Sequence, residues 1–228
     1  MAIYALSDLH LSKAVKNKSM EIFGQEWKDY ERKIDENWKN TVNKNDTVLI
    51  PGDISWALSL EEAYEDFSYL NSLPGNKIIL KGNHDYYFST LTKVNKFLEE
   101  NNFDTIKVLN NNSYFVEGYN ICGFRGWGNT DDDTVDDNKV YLRELIRLEL
   151  SLKSIPEETK SKPIIVMTHF PPFRYEIKEM FKSYNIITCI YGHLHGEGHY
   201  MIKEGNIDGV EYKMVSGDHT KFELLKLN

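Results

Sequence analysis

The chain is poor in cysteine. Cys122 and Cys189 are the only two among 228 residues, and they form no C-x-x-C pair. Two thiols so far apart suggest neither a disulfide framework nor a thiolate metal site; two buried thiols in a reducing compartment are expected. Positive charge is also scarce, with 27 Lys and Arg against 35 Asp and Glu and a net charge of −8. Phosphate backbones and anionic lipid need basic surface, so no extended nucleic-acid surface and no membrane partner are expected. No run reaches the ~18 apolar residues of a membrane span. The opening "MAIYALSDLH" lacks a basic stretch and a cleavage site, so it does not read as a signal peptide. These absences lead to the expectation of a soluble, cytoplasmic protein. Internal repeats and long linkers are missing too, and the length suits one domain over residues 1–228.

What is present is a series of short apolar runs that each end in polar residues. "AIYALS" (2–7) ends at Asp8, "DTVLIPG" (46–52) at Asp53 and "NKIILKG" (76–82) at Asn83. "PIIVMT" (163–168) ends at His169 and "NIITCIYG" (185–192) at His193. Their length and β-branched content predict buried strands. Helical spacing is found over residues 25–40, 59–70, 89–101 and 140–152, with Ser59 and Glu62 spaced as a capping box. Strand and helix alternate in the first part, which predicts a parallel α/β sheet. Residues 105–123 predict three short strands without a helix between them, and residues 198–227 are also strand-like. A β-rich meander is therefore expected after the α/β part, giving a mixed α/β (α+β) class.

Sites of open α/β sheets form at the C-terminal ends of strands. Here those ends carry Asp8 and His10, Asp53, the run Asn83-His84-Asp85, His169, and His193 with His195. Five of the seven histidines sit there; His199 and His219 do not. Residues two apart in extended chain point the same way, so Asp8 with His10, and His193 with His195, can each present a pair. The glycines before Asp53, Asn83 and His193 permit sharp turns and close approach. Such a set is too large for one ion that keeps an open position, and it suits two. Oxygen and nitrogen donors without thiolate favour Mn, Fe or Zn.

The ordered string D-x-H, G-D, G-N-H-D, H, G-H-x-H resembles the calcineurin-like metallophosphoesterases from residue 8 to residue 195. The resemblance implies a four-layer α/β/β/α sandwich of two facing mixed sheets, with a dinuclear metal site at strand C-terminal ends. It implies that Asp8, His10 and His195 bind one ion, that Asn83, His169 and His193 bind the other, and that Asp53 bridges them. His84 would be a catalytic imidazole outside the ligand set, with Asp85 orienting it and holding its tautomer. The implied activity is metal-dependent hydrolysis of a small phosphomonoester or phosphodiester by a hydroxide held between the ions. A cyclic-nucleotide or nucleic-acid phosphodiesterase and a non-catalytic interaction protein on the same fold are the alternatives.

The chain departs from the protein Ser/Thr phosphatases of that superfamily. It has "GDISWALS" and "GNHD", without their arginine and without G-N-H-E. It looks closer to the small bacterial predicted phosphohydrolases, and its expected partner is a small phosphorylated substrate. Arg125 and Arg174 are the candidate substrate contacts, arginine being a common phosphate partner; for Arg125 a surface salt bridge is the other reading. Trp56, Tyr86 and Tyr87 adjoin the ligands, and core packing is expected of them ahead of base stacking. Residues 13–24 form either a lid beside Asp8 and His10 or a surface loop. The acidic run 129–137 reads as a solvated loop leading into a helix near Asn138, not as a further metal site.

Overall fold

The computed structural model describes residues 1–15, 18–128 and 135–228. The first sheet contains β1 (Ile3–Ala5), β2 (Thr47–Ile50), β3 (Asn76–Ile79), β4 (Ile106–Val108) and β11 (Leu225–Lys226). Its order is β11-β1-β2-β3-β4, parallel except for the pairing of β11 with β1. The second sheet contains β5 (Tyr114–Val116), β6 (Tyr119–Phe124), β7 (Ile164–Thr168), β8 (Ile186–Tyr191), β9 (Gly205–Ile207) and β10 (Val210–Met214). Its order is β5-β6-β7-β8-β10-β9, with antiparallel edges around a parallel centre.

The alternation of side chains along each strand decides how the layers stack. Leu49 and Ile78 of the first sheet meet Ile121, Ile165, Met167 and Ile190 of the second, so the two sheets share one apolar interior. The intervening residues Val48, Ile50 and Ile79 point the other way, onto α1 (Tyr30–Thr41), α2 (Tyr64–Ser72) and α3 (Leu91–Glu100). Cys122, Val166 and Cys189 likewise face α4 (Val135–Lys153) and α5 (Tyr175–Phe181). Both sheets are mixed and flanked by helices, which is the four-layer arrangement expected. Strands covered on both faces read as unbroken apolar runs, which is why they were legible. The two cysteines are buried free thiols. Among the described residues, no helix is long and apolar enough to cross a membrane.

The expected meander does not form. β4 completes the first sheet, whereas β5 and β6 open the second and lead into a run of parallel strands. Strands adjacent in sequence suggest one unit, but pairing depends on which edge is free. The β5–β6 turn has Glu117 and Gly118 at positive φ, and the β9–β10 turn has Asp208 and Gly209 likewise, as tight two-residue hairpins require. The helix expected over 25–40 begins only at Tyr30. Asp29 is left-handed at φ 53°, and Trp27 sits in a separate 3-10 turn that directs its ring inward. Tyr30, Ile34 and Trp38 then form one buried stripe at spacing four. Ser59 Oγ accepts from Glu62 N (3.2 Å), but the Glu62 carboxylate accepts from Leu58 N (2.6 Å), not from Ser59 N, and both bonds span a turn that precedes α2. α4 starts at Val135, earlier than expected; residues 129–134 of the acidic run lie outside the described residues.

One buried charge in this frame gives a pH test. Lys77 of β3 is fully buried, and its ammonium donates to the Leu73 carbonyl and to Thr105 Oγ1. Burial pushes its pKa down to about 8 from 10.5. Between those values the unfolded chain binds the extra proton and the folded chain does not, so this contribution to stability rises with pH. Denaturant melts from pH 8 to 10 should show wild type gaining on Lys77→Met, by about 2 kcal/mol over that range. A difference that stays flat with pH would contradict the buried charge.

Candidate metal centre

All seven expected ligands converge at one edge of the sandwich, beyond the C-terminal ends of β1, β2, β3, β7 and β8. Four of them have backbone in the left-handed region: Asp8 (φ 57°), His10 (φ 43°), Asp53 (φ 53°) and His193 (φ 76°). Non-glycine residues seldom occupy that region, and they do so where surrounding structure holds them. Here β1, β2 and β8 each end in a turn that swings a candidate ligand back over the edge. Gly82 and Gly192 make the close approach possible, since a Cβ on Gly82 would collide with Asp53 and one on Gly192 with Asp8 and Ser7.

Two groups of donors come within metal-binding distance of one another: Asp8, His10 and His195, and Asp8, Asp53 and His169. Asp53 Oδ2 lies 3.7 Å from His10 Nε2 and 3.5 Å from His169 Nε2, which puts that oxygen between the two groups. Asp8 Oδ1 lies 3.2 Å from His195 Nε2. Asn83 Oδ1 lies 2.5 Å from His169 Nε2 and 3.0 Å from His193 Nδ1.

These contacts are informative because several of them pair acceptors. His169 Nδ1 lies 3.0 Å from the Pro51 carbonyl. A proton on Nδ1 satisfies that contact and leaves a lone pair on Nε2 facing the Asn83 carbonyl oxygen. Among the described residues, both ring nitrogens of His10 are buried with no hydrogen-bond partner, a rare and costly state. Burial also pushes His169 down to about 3 and His193 to about 4, so both are neutral imidazoles at pH 7. Burial pushes the Asp53 carboxyl well up, and the neighbouring Asp85 and Asp8 carboxylates add to this. Burial pushes Asp8 the same way, but His195 overrides it and holds Asp8 low. A buried edge with orphaned lone pairs and crowded carboxylates holds less positive charge than they call for, even with His195 charged. Cations fit the residues present, and the mixed oxygen and nitrogen donors suit borderline divalent metals.

Residues outside the expected set hold the ligands in place. Ser216 Oγ donates to Asp8 Oδ2 at 2.8 Å. His195 Nδ1 lies 2.8 Å from Asp218 Oδ1, which turns Nε2 towards Asp8 and the centre. Burial lowers the His195 pKa, but Asp8 and Asp218 together raise it to about 10. Asp218 also accepts from Gly196 N (3.2 Å) and lies 3.2 Å from His199 Nε2. Asp218 follows β10 in "SGDH", a Gly-Asp after a strand like that of Asp53. That local signal could have found it.

His84 stands beside the ligands without joining either group. Its backbone N–H donates to Asp53 Oδ1 at 2.8 Å, and its half-buried ring packs against Trp56 at 4.8 Å. Burial and the His195 charge lower its pKa while Asp8 raises it. The role expected of Asp85 needs correction. The ring Nδ1 of His84 has no partner, so Asp85 does not hold its tautomer. Asp85 instead accepts from the N–H groups of Gly82 (2.7 Å), Asp53 (2.9 Å) and Ile54 (2.8 Å). A short carboxylate buried under two loops reaches backbone donors first, and here it fixes the loop that carries Asp53.

Trp56 stacks on the His10 ring at 4.8 Å and 26°. Tyr87 is buried and Tyr86 is exposed, so packing accounts for two of the three aromatics. Arg125 is half-buried, 4.0 Å from Glu144 and over the Trp127 ring, so its partner is not a surface group. Its carbonyl accepts from His169 N at 3.1 Å. Arg174 lies over the Tyr141 ring of α4. In the 13–24 segment, Met20 is buried while Ile22 and Phe23 face solvent.

Two facing sheets with such a donor set along one edge define a class of metal-binding α/β sandwich. The chain matches the calcineurin-like phosphoesterase family over residues 1–197 and belongs to that family. Its members are hydrolases that cleave phosphoesters with bound metal, typically two divalent ions. Among solved structures it is similar to TT1561 of Thermus thermophilus, at 14% identity and TM-score 0.57, over 99% of this chain and 97% of that one. It is also similar to AQ665 from Aquifex aeolicus, described as a protein of unknown function, at 18% identity and TM-score 0.51, over 99% and 95%. At such identities the likeness is one of fold. No curated protein gives a significant match.

Asp218→Asn keeps the size of the side chain but removes the charge that orients His195. Metal affinity should fall about 10–100-fold while the fold persists, as for other residues that orient metal ligands. Titration of the apo-protein with Mn or Zn, with circular dichroism as control, measures this. Unchanged affinity would remove Asp218 from the site.

Proposed function

We propose that the chain is a two-metal hydrolase of a small phosphomonoester or phosphodiester. The observation that carries this reading is the position of Asp53 Oδ2 between His10 and His169, with His84 tethered to the other oxygen of the same carboxylate. Asp8, His10 and His195 would hold one ion, Asn83, His169 and His193 the second, and Asp53 both. Bound ions would polarise the phosphoryl oxygens and acidify water. The protein's own contribution is placement. Asp85 and Ser216 fix the two carboxylates, Pro51 and Asp218 set the tautomers of His169 and His195, and His84 presents an imidazole beside the bound ester. The His84 pKa is lowered, but a phosphate ester beside the ring favours its charged form, from which it gives a proton to the leaving oxygen.

Two transition ions per chain should be found after Mn or Fe supplementation. Hydrolysis of p-nitrophenyl or bis-(p-nitrophenyl) phosphate should stop on chelation, and the faster of the two substrates distinguishes monoester from diester preference. One ion or none, with activity surviving chelator, would overturn the reading. A non-catalytic scaffold would hold metal and turn over neither.

His84→Ala should keep both metals. On an alkyl phosphate, whose leaving oxygen is basic, kcat/KM should fall about 10²–10⁴-fold. On a nitrophenyl phosphate, which leaves unaided, the loss should be much smaller. Equal losses on both would assign His84 to binding of the phosphoryl oxygens.

A further inference from the structure

Beside the metal centre lies a cavity of about 580 Å³, at the C-terminal ends of β3, β4 and β6 with α4 as its outer wall. Two of its lining residues adjoin the centre. Lys81 precedes the ligand Asn83 by two residues, and the Arg125 carbonyl accepts from His169 N. The chain as a whole is acidic, yet this lining is basic. Among the described lining residues are Lys81, Arg125, Arg143 and Arg147, and a single acid, Glu144.

Glu144 does not neutralise them. Its Oε1 serves Arg147 at 3.3 Å and Arg125 at 4.0 Å, while Oε2 accepts from the N–H groups of Arg125 and Gly126. Arg125 Nε is buried without an acceptor. Lys81 Nζ donates to the Phe88 carbonyl at 2.7 Å, and Arg143 Nε to its own helix at Lys139, so neither meets an anion there among the described residues. Charges this close, facing one cavity, are stabilised by an anion that enters it.

The cavity is too large for a phosphate alone and lies within the size range of small-molecule sites. Trp127 and Phe88 give it apolar wall as well. We propose that it is the leaving-group subsite, and that the substrate carries a second phosphoryl group on its leaving group, held by Lys81, Arg125, Arg143 and Arg147 while the first sits at the metals. This rests on the hydrolase reading above, and it narrows the substrate class to compounds with two phosphoryl groups on one small scaffold.

The test is binding, so that it does not depend on turnover. α,ω-Alkane bisphosphonates of increasing length, which cannot be hydrolysed, are titrated into the metal-loaded chain beside the matching alkyl monophosphonates. At the best length the bisphosphonate should bind at least about 10-fold tighter, a gain of the size of one charge-assisted contact. The gain should shrink as salt rises. Arg143→Ala/Arg147→Ala should remove it while metal content is unchanged, separating the cavity from chelation by the second phosphonate. Should that double variant fail to fold, Arg143→Gln on the exposed turn of α4 should still reduce it. Equal affinity for the two ligand series at every length, or a preference that survives both substitutions, would overturn the proposal. A preference that is present and lost as expected, in a chain that hydrolyses no ester, would overturn the hydrolase reading and leave the anion site standing.

Discussion

Lone pairs crowd the buried edge of this sandwich without enough positive charge to match them. Asp8, Asp53, Asn83 and three neutral or orphaned imidazoles face one another across distances of 2.5–3.7 Å. Burial in a low-dielectric setting makes such repulsion expensive unless cations are bound. The surrounding architecture can be understood as the means of holding this arrangement. Parallel strands end side by side, their last residues turn left-handed, and glycine at 82 and 192 lets opposing loops touch.

A second ring of residues turns that crowding into defined geometry. Pro51 and Asp218 each face Nδ1 of a histidine and so aim Nε2 at the centre. Ser216 clamps Asp8, and Asp85 gathers backbone N–H groups from two loops. Buried polar networks of this kind resist substitution because each member satisfies another. The cationic cavity next to the centre has the opposite imbalance, with more positive charge than its one carboxylate can neutralise. Cations at the edge and an anion in the cavity would relieve the two imbalances.

Much of this was legible in residues local to one another. Unbroken apolar runs rich in β-branching marked β2, β7 and β8, because strands buried on both faces leave no polar positions. The convergence of the seven candidate ligands was legible because each lies at the end of such a run and matches its place in an ordered motif. Less local features were not. Asp85 sits next to His84 in the chain, and that adjacency suggested a partnership that the fold does not make. β4 and β5 are separated by a short turn, yet they belong to different sheets.

The sequence by itself determined the strands, most of the helices, the family and the residues that gather at the centre, since these follow from patterns within a few residues or from a motif of fixed order. Tertiary structure alone decided that Ser216 supports Asp8 from 208 residues away and that Asp218 supports His195 from 23. It also decided that Asp85 braces the Asp53 loop, and that Lys81, Arg125, Arg143 and Arg147 line one cavity. Sequence spacing carries no record of which loops meet across a sheet edge; that is set by strand order and by the side on which each helix packs.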